Sequence, residues 1–344
     1  MSIADEQRVS ASGATTTQSA SQPGAYSHQV IRKLNALTSD FYAREAASFS
    51  ATRQAPWHGW EKAWELITAH DAVQGPFPSH AARVPDDSAG DSGAPLTILD
   101  LGCGNLRFER FLAEHTNAPL HITALDNCPD LASPEIDALS AAFPHSLRSS
   151  SAASKTKGGD ASGQDANLPE KTTVDLRALD IVESLLDGTF ADRLPRNSHD
   201  LAVAFGLMHH LPTFALRARV LEGLLGSLRP GGFAVVSFWQ FLNDPRVAAK
   251  AATVTAEGRA THCLPTFQEN DFLLGWQHAE GVYRFCHHTP EDEIDALLAA
   301  IREPSAPSTR GCTPPTSLPF REIARFSADG KQGNLNRYLI LQRL

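Results

Sequence analysis

A glycine turn, Gly102-Cys103-Gly104-Asn105, follows the short apolar run Leu96 to Leu101, which carries Asp100 at its end. A second apolar run begins at His121 and closes on Asp126 and Asn127. Glycines after a strand let a ligand approach backbone N–H groups, and an acid at the end of the next strand can accept hydrogen bonds from ribose hydroxyls. The chemistry indicated is recognition of a nucleotide-like group. The dinucleotide fingerprint G-x-G-x-x-G does not fit, because Arg107 stands where the third glycine belongs. A tight turn with no ligand is the competing reading of the glycines alone.

Two histidine pairs, His209-His210 and His287-His288, also invite a chemical reading. Adjacent histidines seldom chelate one ion together, and no acid or cysteine stands near the first pair in sequence, so no metal site is expected. A histidine beside a reacting group would instead position an acceptor or take its proton.

These residues need elements to hold them. Apolar runs at 96–101, 121–126, 174–179, 199–206 and 233–239 read as strands, and amphipathic segments at 108–112, 134–143, 184–194 and 215–228 as helices. Strands alternating with helices predict an α/β fold, a Rossmann-like, doubly wound, mostly parallel sheet. Arg321 to Ser327 and Arg337 to Leu344 predict a C-terminal antiparallel strand pair. One or two helices over 26–49, then a break at Pro56 and a helix carrying Trp60 and Trp64 as packing residues, predict an N-terminal helical cover over 26–70. Residues 240–282 read as irregular, and a helix is expected over 289–301, capped by Thr289 with Pro290 at its first position. Residues 1–25 have the composition of a disordered tail. Segments at about 79–95, 146–173 and 304–319 read as low-complexity loops within a single domain spanning 26–344.

Hydrophobic content of 42% and charged content of 20% are those of an ordinary globular chain. The net charge of −9 lacks a bulk basic footprint, which counts against extensive contact with nucleic acid. Five widely spaced cysteines without a C-x-x-C pair read as reduced thiols. With no apolar run long enough to span a bilayer and no signal-peptide pattern at the start, the expected location is cytoplasmic, without a membrane partner.

An acid closing the first strand, G-x-G, and a second acid closing the second strand together resemble motif I of the class I S-adenosylmethionine (SAM) methyltransferases. The resemblance implies SAM as cofactor and S-adenosylhomocysteine as product. Residue by residue, it implies that Asp100, Gly102, Cys103 and Gly104 hold the methionine part, and that Asp126 with Asn127 holds the ribose. It further implies that Asp180 and Ile181 reach the adenine, with Phe205, Gly206 and Met208 beside the adenosine or the methyl group. A helix cap is the other reading of Asp180. The family usually has a third glycine where this chain has Leu106, whose side chain would either crowd the methionine part or point away.

Further stretches resemble one branch, the tRNA wobble-uridine methyltransferases, which esterify a carboxymethyl group on uridine. They are FYAREAASFSATRQAPW (41–57), MHHL before a helix and LRPGG, NDFLLGW (270–276), VYRFCHHTPEDEIDALL (282–298) and DGKQGNLNRYLIL. The resemblance implies that Arg53 and Trp57 close over the SAM and acceptor site and that Tyr283, Arg284 and His287 line its far side, with Arg53 and Arg284 as catalytic candidates and Trp57, Tyr283 and His287 as substrate contacts. The histidine chemistry above adds His209 as a catalytic candidate and His210 as a substrate contact, a packed or capping role being their other reading. It also implies tRNA as acceptor and a small activator protein as partner; a small-molecule acid or hydroxyl acceptor, and a catalytically silent SAM-fold protein, are the alternatives. A carboxylate is already nucleophilic, so its methylation needs alignment more than a base, and arginines suit its binding. A helix-end salt bridge for Arg53 and a packed strand edge for Tyr283 and Arg284 are the non-catalytic readings.

Overall fold

The computed structural model describes residues 26–74, 95–128, 130–132, 147–149, 172–276, 279–302 and 318–344. The expected tail over 1–25, the helix over 134–143 and most of the three loops lie outside them. A long first helix, α1 (His28–Ala51), begins where the Ser27 side chain accepts a hydrogen bond from the Val30 N–H, and it buries Ile31, Leu34, Thr38 and Phe41 at helical spacing. Proline ends this region and α2 (His58–Gln74) follows, burying Trp60, Ala63 and Ile67. The cover therefore holds one helix over 28–51, where the sequence allowed one or two.

The sheet strands in the first half are β1 (Leu96–Leu101), β2 (Leu120–Asp126), β3 (Leu147–Ser149), β4 (Thr173–Ala178), β5 (His199–Ala204) and β6 (Leu228–Trp239). Between them run α3 (Arg107–His115), α4 (Ile181–Leu186), α5 (Phe190–Arg193) and α6 (Phe214–Ser227). Then come α7 (Pro245–Thr261), the hairpin β7 (Asp271–Trp276) and β8 (Ala279–His287), α8 (Glu291–Arg302), β9 (Phe320–Ala328) and β10 (Asn336–Arg343). The main sheet has the order β3-β4-β2-β1-β5-β6-β10-β9. Strands β1 to β6 run parallel to one another, while β10 runs antiparallel to both β6 and β9. The fold is thus the doubly wound α/β sheet with an antiparallel C-terminal pair.

Strand periodicity sorts the core into two layers. Leu99, Leu101, Ala202, Ala204 and Val236 face α4, α6 and α8, whereas Ile98, Leu201, Val203 and Val235 face α2 and α3 through Trp60, Phe111 and Leu112. Among the described residues no helix is long and apolar enough to cross a membrane.

Several expectations need correction. Residues 240–282 are not mainly loop: α7 starts at Asp244, whose side chain caps it, and β7 pairs with β8. The helix escaped notice because its buried face is Ala251, Thr255 and Gly258, small residues that leave no apolar stripe. The insertion at 146–173 does contribute to the sheet, since β3 pairs in parallel with β4. Strand β6 starts at Leu228 and runs through Arg229-Pro230-Gly231-Gly232, the register with β5 shifting between His199 and Leu201 to accommodate it. The helix expected over 184–194 is two short ones, starting at Ile181. Thr289 is fully buried and its hydroxyl has no partner among the described residues, so it does not cap α8, which begins at Glu291.

Candidate active site

The winding changes direction between β1 and β5, where ligands of open α/β sheets bind at the carboxyl ends of the strands. A cavity of about 420 Å³ lies there. It is lined by residues following β1, β2, β4 and β5 and is roofed by α1 and the segment leading into α2.

One end is the glycine turn. Gly102 and Gly104 take φ of 76° and 57°, and a Cβ on Gly104 would meet nothing within 4 Å, so its bare face borders open space. The Asp126 carboxylate accepts the Gly104 N–H at 2.9 Å and the Cys128 N–H at 2.8 Å, which fixes it at the cavity wall. Burial pushes its pKa up, against the pull of those backbone N–H groups. Asp100, only 2% exposed, is held well above the carboxylate range by burial, then by the charge of Glu109 and a hydrogen bond to it, then by Asp126.

Leu106 resolves the question its position raised. It takes φ of 57° at the start of α3, the conformation a glycine would supply, and its side chain is fully buried with Trp60, Phe108 and Phe111. It does not line the cavity.

Asp180 combines its two readings. It lines the cavity and also caps α4, accepting the Glu183 N–H at 2.9 Å. Asn35 of α1 donates to both its oxygens, at 3.1 and 2.9 Å, tying the cover to the sheet across the cavity. Ile181, Phe205, Gly206, Cys103 and Asn127 complete this end, the last donating to Ser39 Oγ at 3.0 Å.

The other end is cationic and aromatic. Arg284 on β8 is 5% exposed, yet its Nε and Nη1 have no partner among the described residues. Its guanidinium lies 4.5 Å from the centre of the Phe41 ring and 5.6 Å from that of Trp239, within reach of cation–π attraction. Arg53 lies over Phe49 at 3.7 Å and over Trp276 at 4.7 Å; burial and then Arg284 lower its pKa to about 10. It takes no part in a salt bridge with a described acid. Trp57 borders the cavity at Gly206, where an added Cβ would come within 3.5 Å of its ring.

His209 and His210 occupy a short helical turn beside these arginines and both line the cavity. Burial, then Arg284, lowers the His210 pKa to about 3, and burial with the His210 and Arg284 charges holds His209 well below its ordinary value. Both rings are therefore neutral near pH 7, poor acceptors of a substrate proton. With Cys286 they bring three ligand-type atoms within 4.8 Å. His210 already bonds through both ring nitrogens, to Tyr42 and to the Phe285 carbonyl, so ligation of a metal by this ring would break one of those bonds.

Three expected site residues lie elsewhere. Met208 is fully buried in the core and does not reach the cavity. Tyr283 packs against Gly258 of α7 and edge-on to His262. His287 is buried between Asp271 and Glu293, bonded at 2.6 and 2.7 Å, with Arg217 on the far side of Glu293 at 2.7 Å. Alternation along β8 is the reason: Arg284 points into the cavity, so Tyr283 and His287, at odd separations from it, point away. Conversely, sequence reasoning missed Asn35, Tyr42, Phe49, Trp239, Arg107 and Asp329, all cavity-lining. The Tyr42–Phe49 aromatic run on α1 was the available signal.

No family model and no curated protein matches this sequence. Among solved structures, it is similar to a SAM-dependent methyltransferase from Methanosarcina mazei, at 17% identity over 73% of this chain and 93% of that one, with a TM-score of 0.43. It is also similar to the 1,6-didemethyltoxoflavin-N1-methyltransferase of Burkholderia thailandensis with bound S-adenosylhomocysteine, at 15% identity, 94% and 92% coverage and a TM-score of 0.45. The N-methyltransferase NodS of Bradyrhizobium japonicum gives 13% identity, 92% and 97% coverage and a TM-score of 0.40.

Proposed function

We propose that this chain is a SAM-dependent methyltransferase whose acceptor carries an acid group. The observation that carries the reading is the division of one cavity into two ends: a glycine turn with Asp126 and Asp180, and the buried Arg284, which has no acid partner and two unbonded nitrogens among the described residues, with Arg53. The residues at the first end fit the cofactor. Gly104 leaves its backbone open to a ligand, Asp126 is oriented to accept hydrogen bonds from a ribose diol, and Leu106 leaves the turn unobstructed. SAM supplies an electrophilic methyl group on a sulfonium.

At the second end, a guanidinium buried without an anion is costly unless a ligand completes it, and a carboxylate matches its planar donors. Aromatic walls from Phe49, Trp57 and Trp239 exclude water and hold the acceptor in line. Because both histidines are neutral and resist protonation, the acceptor atom best suited to this site arrives already ionised, as a carboxylate oxygen does. An acid on a tRNA wobble uridine and a free organic acid share this chemistry.

Two measurements test the reading. Calorimetric titration with S-adenosylhomocysteine should give saturable binding, and its absence from the folded protein removes the cofactor assignment. Incubation with methyl-labelled SAM should label either total tRNA or an extract of small organic acids, and the labelled pool names the source. Label only on neutral amines or alcohols would refute the acid acceptor.

A further inference from the structure

Tyr42 on α1 reaches the arginine end of the cavity, where its hydroxyl lies 2.9 Å from His210 Nε2. The other ring nitrogen, Nδ1, lies 2.7 Å from the Phe285 carbonyl oxygen. A carbonyl can only accept, so the hydrogen of this neutral ring sits on Nδ1 and Nε2 is left as an acceptor. Tyr42 must then be the donor in its bond to His210. With its single proton committed, the phenol offers only oxygen lone pairs to anything else.

The ring cannot easily turn away from this arrangement. Phe41 and Phe49 meet it edge-on with centroids at 5.1 Å each, and His210 does so at 5.5 Å. Arg53 and Arg284, beside it in the cavity, are pure donors. The wall at this end therefore presents a fixed acceptor next to two donors. Burial pushes the Tyr42 pKa up to about 12, so the phenol stays protonated and His210 keeps its proton.

We infer that Tyr42 is a specificity-determining residue whose oxygen accepts a hydrogen bond from an N–H or O–H group that the substrate carries beside its acid. The inference rests on the acid-acceptor reading above and narrows it to acids bearing a nearby donor, such as hydroxy acids or acids on an amide-containing ring. A substrate lacking that donor leaves the acceptor lone pairs of the Tyr42 oxygen desolvated and unmatched, and unmatched buried polar groups discriminate more sharply than missing apolar contacts.

Two experiments test it. In ¹⁵N-histidine-labelled protein, His210 should appear as the Nδ1–H tautomer from about pH 5 to pH 8, whereas the Nε2–H tautomer or titration in that window overturns the assignment of donor and acceptor. Phenylacetate and mandelate differ by one hydroxyl next to the carboxylate, and their binding can be followed through tryptophan fluorescence. Mandelate should bind about tenfold more tightly, and Tyr42→Phe should abolish that preference while phenylacetate binding is retained. Equal binding of the two acids, binding of neither, or a preference that survives in Tyr42→Phe overturns the inference. Titration with S-adenosylhomocysteine reports on the cofactor end separately: its failure alongside a retained mandelate preference would sink methyl transfer and leave the role of Tyr42 standing.

Discussion

The Arg284 guanidinium stacks 4.5 Å from the Phe41 ring centre while two of its nitrogens find no partner among the described residues. The aromatic ring offsets only part of the cost of burying a charge. Arg284→Met should therefore raise stability by about 1 to 3 kcal/mol while lowering turnover on an acid acceptor at least a hundredfold. Thermal melts and steady-state rates on one preparation check both signs. A variant that loses stability and keeps activity would assign Arg284 to packing.

Asp126 should matter to the cofactor in two ways, through its own acceptor oxygens and by holding the Gly104 N–H. Replacing it with alanine removes both and should weaken S-adenosylhomocysteine binding by about 1 to 3 kcal/mol. Calorimetry reads this directly, and unchanged affinity would take Asp126 out of the ribose site.

Leu106→Gly sets two terms against each other. Glycine relieves the left-handed backbone, worth about 1 kcal/mol, but the cavity left by a fully buried leucine costs about 2 to 5 kcal/mol. The second term wins, so denaturant unfolding should show a net loss of stability. Cofactor affinity should stay the same, because the Leu106 side chain borders the core and not the ligand.

Acid should destabilise the protein through His209 and His210. Both have folded pKa values below the unfolded value of 6.5, with His210 at about 3. Their contribution is thus complete above pH 6.5 and is lost as pH falls toward the folded values. Asp100 acts with the opposite sign: its raised pKa means a contribution present at low pH and lost as pH rises through the folded value. In urea titrations across that range, His210→Gln should flatten the acid limb by an amount on the order of a few kcal/mol. An unaltered limb would show that His210 is protonated in the folded protein.

Much of the sheet was legible because β1, β2, β5 and β6 are apolar runs bounded by polar or glycine-rich turns, whereas the three-residue β3 was hidden in a polar segment. The glycine turn and Asp126 were equally plain, since a βα turn declares itself within a few residues. Helix α7 was hidden by its small buried residues. The arginine end was only partly visible, since Tyr42, Phe49, Arg284 and Trp239 come from α1, β8 and β6, and nothing local records that they meet. The family resemblance placed Tyr283 and His287 with Arg284, although a strand sends alternate side chains to opposite faces. His287 has its own setting, buried between two acids.

The glycine end belongs to the central sheet, whereas Arg284 stands on the β7–β8 hairpin, outside that sheet. The arginine end thus takes one of its two cations from a hairpin built apart from the strands that frame the glycine turn. Substitutions on the hairpin and on the facing stretch of α1 can retune what is accepted without disturbing the strands that frame Gly102 and Asp126. Such a division makes substrate choice the more evolvable property of this protein, and it gives engineers a short, bounded region in which to redirect it.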